Sequence, residues 1–375
     1  MTKNTECNLL VLPGDGIGPE IIAQTLRVVS WFGEFLDVQI KTEHALVGGA
    51  SIDACGYPMS DEVFSKAEAA DAILFGAVGG PKWDDRPRSE RPEMGILRLR
   101  KGLDLYANLR PAICFPELIG ASALRPELVR GLDIMIVRES TAGVYFGEPR
   151  GISTDAQGAR RAVDTQSYAE AEIARVCRLA FELARNRESR VCSVDKANVM
   201  ETGALWRSVA TEVGREYPDV ELTHMYADNC AMQLLRGPNQ FDVIVTDNLF
   251  GDILSDEAAA LTGSLGLLPS ATISAGRHDQ RSHAVYEPIH GSAPDIAGMG
   301  IANPIATILS FAMCLRISMN EPAAAKLLED AVRLALFNGN RTPDIAGPER
   351  DGISSDAMTD AILASLDALK VSKGN

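Results

Sequence analysis

Short apolar runs alternate with amphipathic stretches along this chain: NLLVLPGDG, then PEIIAQTLRVVSWFGEFL, VQIKTEH, DAILFGAVGG and the helix-like GILRLRKGL. A strand covered by helices on both faces reads as a brief apolar run, and a surface helix repeats its apolar positions about every 3.6 residues. The alternation therefore predicts strands and helices built into an open α/β sheet. With 375 residues, the chain exceeds the roughly 100–200 residues of one domain, so two domains are expected. Between about 107 and 165 the pattern changes to DIMIVRES, AGVYFGEPRG and ISTDAQGARRAVDT. Closely spaced turn residues there predict a β-rich insertion that opens a second domain. Helical patterning returns from Tyr168 to Asn186, RVCSVDKANV reads as a strand entering a loop, and the last helices return the chain to the domain where it began.

A formal net charge of -15 disfavours nucleic acid and anionic membrane as partners, because an acidic surface repels phosphate. An acidic small molecule would then need a local basic pocket. Seven cysteines occur without a CxxC pair, which fits reduced thiols and neither a disulfide framework nor a zinc site. The N-terminus lacks the apolar core of a signal peptide, and no run approaches the roughly 18 apolar residues of a membrane span. A cytoplasmic location is expected.

Two segments invite a chemical reading. In PGDGIGPE the glycines fall at Gly14, Gly16 and Gly18, a GxGxG spacing followed by Pro19. The dinucleotide fingerprint needs GxGxxG, so a sharp strand-to-helix turn is expected and the standard Rossmann reading is rejected. In DNLFGDILSDEAA, Asp252 and Asp256 stand four residues apart on one helix face. Such a pair is commonly a solvated face, yet two close carboxylates also suit a hard divalent cation, Mg²⁺ or Mn²⁺. Asp228 in HMYADNCAMQLL is a possible third ligand that sequence spacing does not place.

Arg100, Arg110 and Arg138 lie among apolar neighbours, where a guanidinium pairs bidentately with a carboxylate. Three converging would suit a dicarboxylic acid, although each alone reads as an ordinary ion-paired arginine. Tyr145 and Lys196 are flanked by residues that partly bury them, and a buried lysine is a usable base as a phenol is a proton donor. In HGSAPDIAG, small residues allow close backbone approach to a cofactor, and Asp295 is placed to accept from ribose hydroxyls and repel a 2′-phosphate.

In order along the chain, PGDGIGPE, GAVGGPKWD, LRK, ANLRP, VRE, YFGEPRG, VDKANV, DNCAMQL, LFGDILSDE, LTGSLGLLPSA, EPIHGSAPDIAG and IANPIATILS resemble the isopropylmalate branch of the β-decarboxylating dehydrogenases. The resemblance spans nearly the whole chain. It implies an open sheet in two domains with a cleft: a discontinuous NAD-binding domain over 1–106 and 267–375, and a substrate, metal and dimerisation domain over 107–266. It implies that Arg100, Arg110 and Arg138 hold substrate carboxylates, with Ile96, Leu97 and Asp228 also at the substrate. Asp228, Asp252 and Asp256 match the metal ligands, and Lys196 and Tyr145 the acid–base pair. Glu287, His290, Gly291, Ser292, Ala293, Asp295 and Asn303 match the NAD-binding set. The family further implies a homodimer in which Lys196 and Asp228 serve the partner's site.

The implied reaction is NAD-linked oxidative decarboxylation of 3-isopropylmalate to 4-methyl-2-oxopentanoate in leucine biosynthesis. Met94, Ile96 and Leu97 favour the isopropyl group, since a carboxylate desolvated against them would be costly. The chain departs from the branch at Ile96 and Leu97, at Ala142 where glycine is common, and in the loop from Ser274 to Ala284. Another 3-alkylmalate, malate or tartrate stays open as substrate.

Overall fold

The computed structural model describes residues 5–36, 38–122, 124–276, 282–347 and 351–373. Part of the Ser274 to Ala284 loop lies outside them. The chain divides into two compact units, one of Met1–Leu105, Cys114–Pro126 and Ala259–Asn375, the other of Tyr106–Ile113 and Glu127–Ala258.

In the first unit, β1 (Thr5–Gly14) runs parallel to β2 (Val38–His44) and β3 (Ala72–Ala77). β3 is followed in the sheet by β12 (Ala284–Pro288) and antiparallel β11 (Pro269–Ile273). All six residues of β3 are buried, as its unbroken apolar run requires of a doubly covered strand. The covering helices are α1 (Gly18–Phe35), α2 (Gly49–Cys55), α3 (Asp61–Ala69) and α4 (Met94–Gly102). After β12 come α10 (Ile305–Ile317), α11 (Pro322–Phe337), α12 (Pro343–Ala346) and α13 (Ser355–Lys373). α10 is buried on every side from Ile305 to Leu315, so it is a core helix without a polar stripe. The segment Cys114–Pro126 clusters with this unit although the sequence places it in the central domain; Arg341 Nη2 donates to the Glu117 carbonyl at 2.8 Å.

The second unit holds β4 (Ala107–Ile113), antiparallel to β5 (Asp133–Glu139), which is preceded by the one-turn α5 (Pro126–Val129). β6 (Gly151–Thr154) and β7 (Arg160–Val163) form a separate antiparallel hairpin. α6 (Glu170–Arg185), β8 (Arg190–Asp195), α7 (Glu201–Gly214), β9 (Glu221–Tyr226), α8 (Ala227–Arg236), β10 (Val243–Thr246) and α9 (Asn248–Thr262) complete it. β10 lies between β5 and β8, parallel to both, and β9 flanks β8. The chain is thus mixed α/β, with the β-rich character expected after residue 107 confined to β4, β5 and the hairpin.

The PGDGIG turn is structural. Gly14 and Gly16 have φ of 73° and 57°, and a Cβ on Gly16 would lie 2.0 Å from the Ser292 carbonyl oxygen. Ile17 N donates to that oxygen at 2.8 Å. The Asp15 carboxylate accepts from the amides of Gly49 (2.8 Å), Ala50 (2.8 Å) and Gly79 (2.9 Å), so the chain's own anion occupies donors of the kind that hold phosphate elsewhere. None of the seven cysteines is in a disulfide, and six are buried. Among the described residues no helix is long and apolar enough to cross a membrane.

Candidate active site

The centre of the second unit is one face of α9. Asp247 caps it, accepting from Phe250 N at 2.8 Å, as aspartate does at the start of a helix. Asn248, Asp252 and Ser255 then recur at helical spacing, and Asp256 follows on the same side. On the sheet, antiparallel pairing sets Asn108 opposite Arg138, and Arg110 lies two residues from Asn108, so all three side chains share a face. Arg110 Nη2 lies 3.3 Å from Asp252 Oδ1 and its Nη1 3.5 Å from Asp256 Oδ1. Arg110 Nη1 also donates to Ser255 Oγ at 2.5 Å. Arg138 pairs with Asp252 through Nη1 and donates to Asn248 Oδ1 from Nε (3.0 Å) and Nη2 (2.7 Å).

Tyr145 joins this group, its hydroxyl donating to Asp252 Oδ2 at 2.7 Å while the Arg138 guanidinium lies 5.2 Å from its ring centroid. Arg138 is 1% and Arg110 6% exposed. Guanidiniums so buried need paired anions and satisfied donors, which Asp252 and the neutral oxygens of Asn108, Asn248 and Ser255 supply. Burial raises the Asp256 carboxyl, as does the nearby Asp252, against the opposing pull of Arg110 and Arg138.

Behind this face is a buried polar layer that the sequence reading missed. Glu139 accepts from Thr141 N, Thr141 Oγ1 and Ala142 N at 2.9, 2.7 and 3.0 Å, and burial raises its carboxyl. Asn248 N donates to Tyr168 Oη at 2.9 Å, and Asn248 Nδ2 to the Ala142 carbonyl at 3.0 Å. Burial pushes Asp247 to about 6, although Phe250 N and Gln166 donate to it. At Ala142 the backbone is extended and holds a side chain without strain. The glycine that the turn requires is Gly143, at φ 72°, where a Cβ would lie 2.3 Å from Tyr168 Oη.

Lys196 and Asp228 stand apart from this face and pair with each other, Nζ to Oδ1 at 2.5 Å. The hydrogen bond from Lys196 holds the Asp228 carboxyl below the usual carboxylate range. Among the described residues no three His, Cys, Asp or Glu side chains are grouped to hold a metal ion. One chain therefore brings Asp252 and Asp256 together without Asp228.

In the first unit, Arg100 Nη2 is 3.0 Å from Glu287 Oε1, both side chains about one-tenth exposed. Glu287, expected at the cofactor, is engaged by an arginine expected at the substrate. Ile96, which the resemblance sets at the substrate, packs in a core cluster with Leu10, Leu12, Phe75 and Leu99. Met94 and Leu97 are the half-exposed apolar residues of α4. The expected cofactor segment begins with His290, whose Nδ1 lies 2.9 Å from the Gly291 carbonyl. Its Nε2 is buried without a partner, and burial lowers the imidazole's pKa. Ser292 is buried against the Gly16 turn, while Ala293 has a φ of 37° and Asp295 is exposed. Asn303 serves the fold: Oδ1 accepts from Ile305 N at α10's start, and Nδ2 donates to Asp344, each at 3.0 Å.

Residues 8–362 match the family model described as isocitrate/isopropylmalate dehydrogenase. A relative from Cereibacter sphaeroides named 3-isopropylmalate dehydrogenase is 60% identical over 363 residues, 96% of this chain and 98% of that protein. One of the same name from Gluconobacter oxydans is 57% identical, covering 96% and 98%. Among solved structures, an isocitrate dehydrogenase from Methylococcus capsulatus superimposes with a TM-score of 0.85 at 35% identity, covering 96% of this chain and 99% of its own. The chain belongs to the isocitrate/isopropylmalate dehydrogenase family.

Proposed function

We propose that the chain oxidises 3-isopropylmalate with NAD and releases CO₂ to give 4-methyl-2-oxopentanoate, a step of leucine biosynthesis. The observation that carries this reading is the α9 face, where two buried arginines, two aspartates and a phenol meet. The donor set fits a divalent cation: Asp252 and Asp256 offer hard oxygen ligands, with Asp228 the family's third. The orphaned, buried His290 Nε2 fits a ligand group that the 290–295 loop would receive. When bound, Mg²⁺ or Mn²⁺ supplies Lewis acidity at the substrate's hydroxyl oxygen, and NAD supplies a hydride acceptor.

The chain's own residues then divide the work. Arg100, Arg110 and Arg138 bind substrate carboxylates. Lys196 Nζ takes the proton of the C2 hydroxyl as hydride leaves C2, which yields a 2-oxo acid. When the bond to the β-carboxylate breaks, its electron pair moves into the carbon framework, and Tyr145 Oη protonates the carbon that CO₂ left. Asp295 accepts from ribose hydroxyls and favours NAD over NADP. On α4, Leu97 and Met94 favour an alkyl group.

Partner and location belong to the same reading. A homodimer with shared sites is supported by the exposed Val199, Leu205, Met232, Leu235 and Ile253 of the second unit and by the separation of Lys196 and Asp228 from the α9 face. Seven cysteines without a disulfide support a cytoplasmic location. The test is NADH formation with 3-isopropylmalate, other 3-alkylmalates, isocitrate, malate and tartrate, with and without chelator. The expected result is metal-dependent turnover with the highest kcat/KM on 3-isopropylmalate; preference for malate, tartrate or isocitrate would overturn the assignment.

A further inference from the structure

Each arginine of the α9 face has an asparagine oxygen at its Nε: Arg110 donates from Nε to Asn108 Oδ1, and Arg138 donates from Nε and Nη2 to Asn248 Oδ1. Both asparagines are 1% exposed. The orientation of Asn248 is fixed by its other contacts. Its amide nitrogen donates to the Ala142 carbonyl, which can only accept, so the amide oxygen must face Arg138. Its backbone N–H is held by Tyr168 Oη. Gly251 lets the helix come this close, for a Cβ there would lie 2.7 Å from Arg138 Cγ.

We propose that Asn108 and Asn248 are positioning residues, neutral acceptors that fix the planes of Arg110 and Arg138 without adding negative charge to the face. The face already balances two guanidiniums against Asp252 and Asp256. A third carboxylate at either asparagine position would make it net negative and oppose a substrate bearing two carboxylates, whereas loss of the acceptor would free the guanidinium to rotate out of the plane that bidentate pairing needs. The proposal rests on the reading of Arg138 as a carboxylate-binding residue.

The experiment measures KM and kcat for 3-isopropylmalate at saturating NAD and Mg²⁺, with Tm alongside, in Asn248→Asp, Asn248→Ala, Arg138→Met and the Asn248→Ala/Arg138→Met double variant. Asn248→Asp keeps the size and the acceptor toward Arg138 but loses the donor to the Ala142 carbonyl, so Tm should fall, while in the folded enzyme KM rises about tenfold or more and kcat stays within about threefold. Asn248→Ala should raise KM similarly, yet add less than about twofold on the Arg138→Met background, because a residue acting through another is not additive with its loss. Should Arg138→Met alone leave KM unchanged, the reading of Arg138 fails; should it raise KM while Asn248→Asp and Asn248→Ala leave it unchanged, only the present proposal fails. If Asn248→Ala does not fold, Asn248→Ser, whose shorter side chain withdraws the oxygen from Arg138 Nε, replaces it. Failure of both to fold, or additive effects on KM, assigns Asn248 to the fold and overturns the proposal.

Discussion

Asp247 serves two purposes that pull its carboxyl in opposite directions. The helix cap favours the charged form, but burial prevails and raises its pKa to about 6 from an ordinary 3.8. A carboxyl that binds its proton more tightly in the native state favours folding fully below the unfolded value, and that contribution is lost as pH rises through about 6. Asp247→Asn keeps a competent cap without the ionisation. Between pH 4 and 7 the wild type should therefore lose about 2 kcal/mol relative to this variant, read by urea unfolding at both pH values; a gap that does not change with pH contradicts the buried carboxylate. Gly143→Ala places a methyl 2.3 Å from Tyr168 Oη at a positive φ and should cost about 2 kcal/mol or more, whereas Ala142→Gly, on extended backbone, should cost about 1 kcal/mol or less. Thermal melts of the two variants separate the positions.

At the scale of elements, the β1–α1 turn holds the 290–295 loop through Ile17 N and the close approach of Gly16 to Ser292. Gly16→Ala should displace that loop, raising KM for NAD several-fold or more and leaving KM for 3-isopropylmalate within about twofold; equal effects on both would show general damage instead. The strand and helix runs named from the sequence were legible because periodicity is a local property, and α9 carries its aspartates as the i, i+4 spacing anticipated. The partners were not legible. Nothing local marks Asn108, Asn248, Ser255 or Glu139, because their roles arise only when β4, β5 and α9 pack together. Ile96 illustrates the converse: the resemblance set it at the substrate, and its packing with Leu10, Leu12, Phe75 and Leu99 emerges from the fold.

For the whole molecule, shared sites have a distinctive signature. If Lys196 of one copy serves Asp252 of the other, Lys196→Ala and Asp252→Asn variants, each inactive alone, should on unfolding and refolding together recover about one quarter of wild-type activity, since half the dimers are mixed and each has one intact site. Sites complete within a single chain would recover nothing. The acidic surface anticipated from the net charge of -15 leaves Arg110 and Arg138 as buried positive charge held against aspartates, the arrangement an anionic substrate needs from an otherwise repelling protein.

The Asp15 carboxylate, bonded to the amides of Gly49, Ala50 and Gly79, has a consequence for inhibitor design. A socket already filled by a tethered anion offers nothing to a pyrophosphate mimic aimed at the glycine-rich turn, however well its pattern resembles a nucleotide motif. Chemistry directed at the 290–295 loop meets the exposed Gly291 and Asp295 instead.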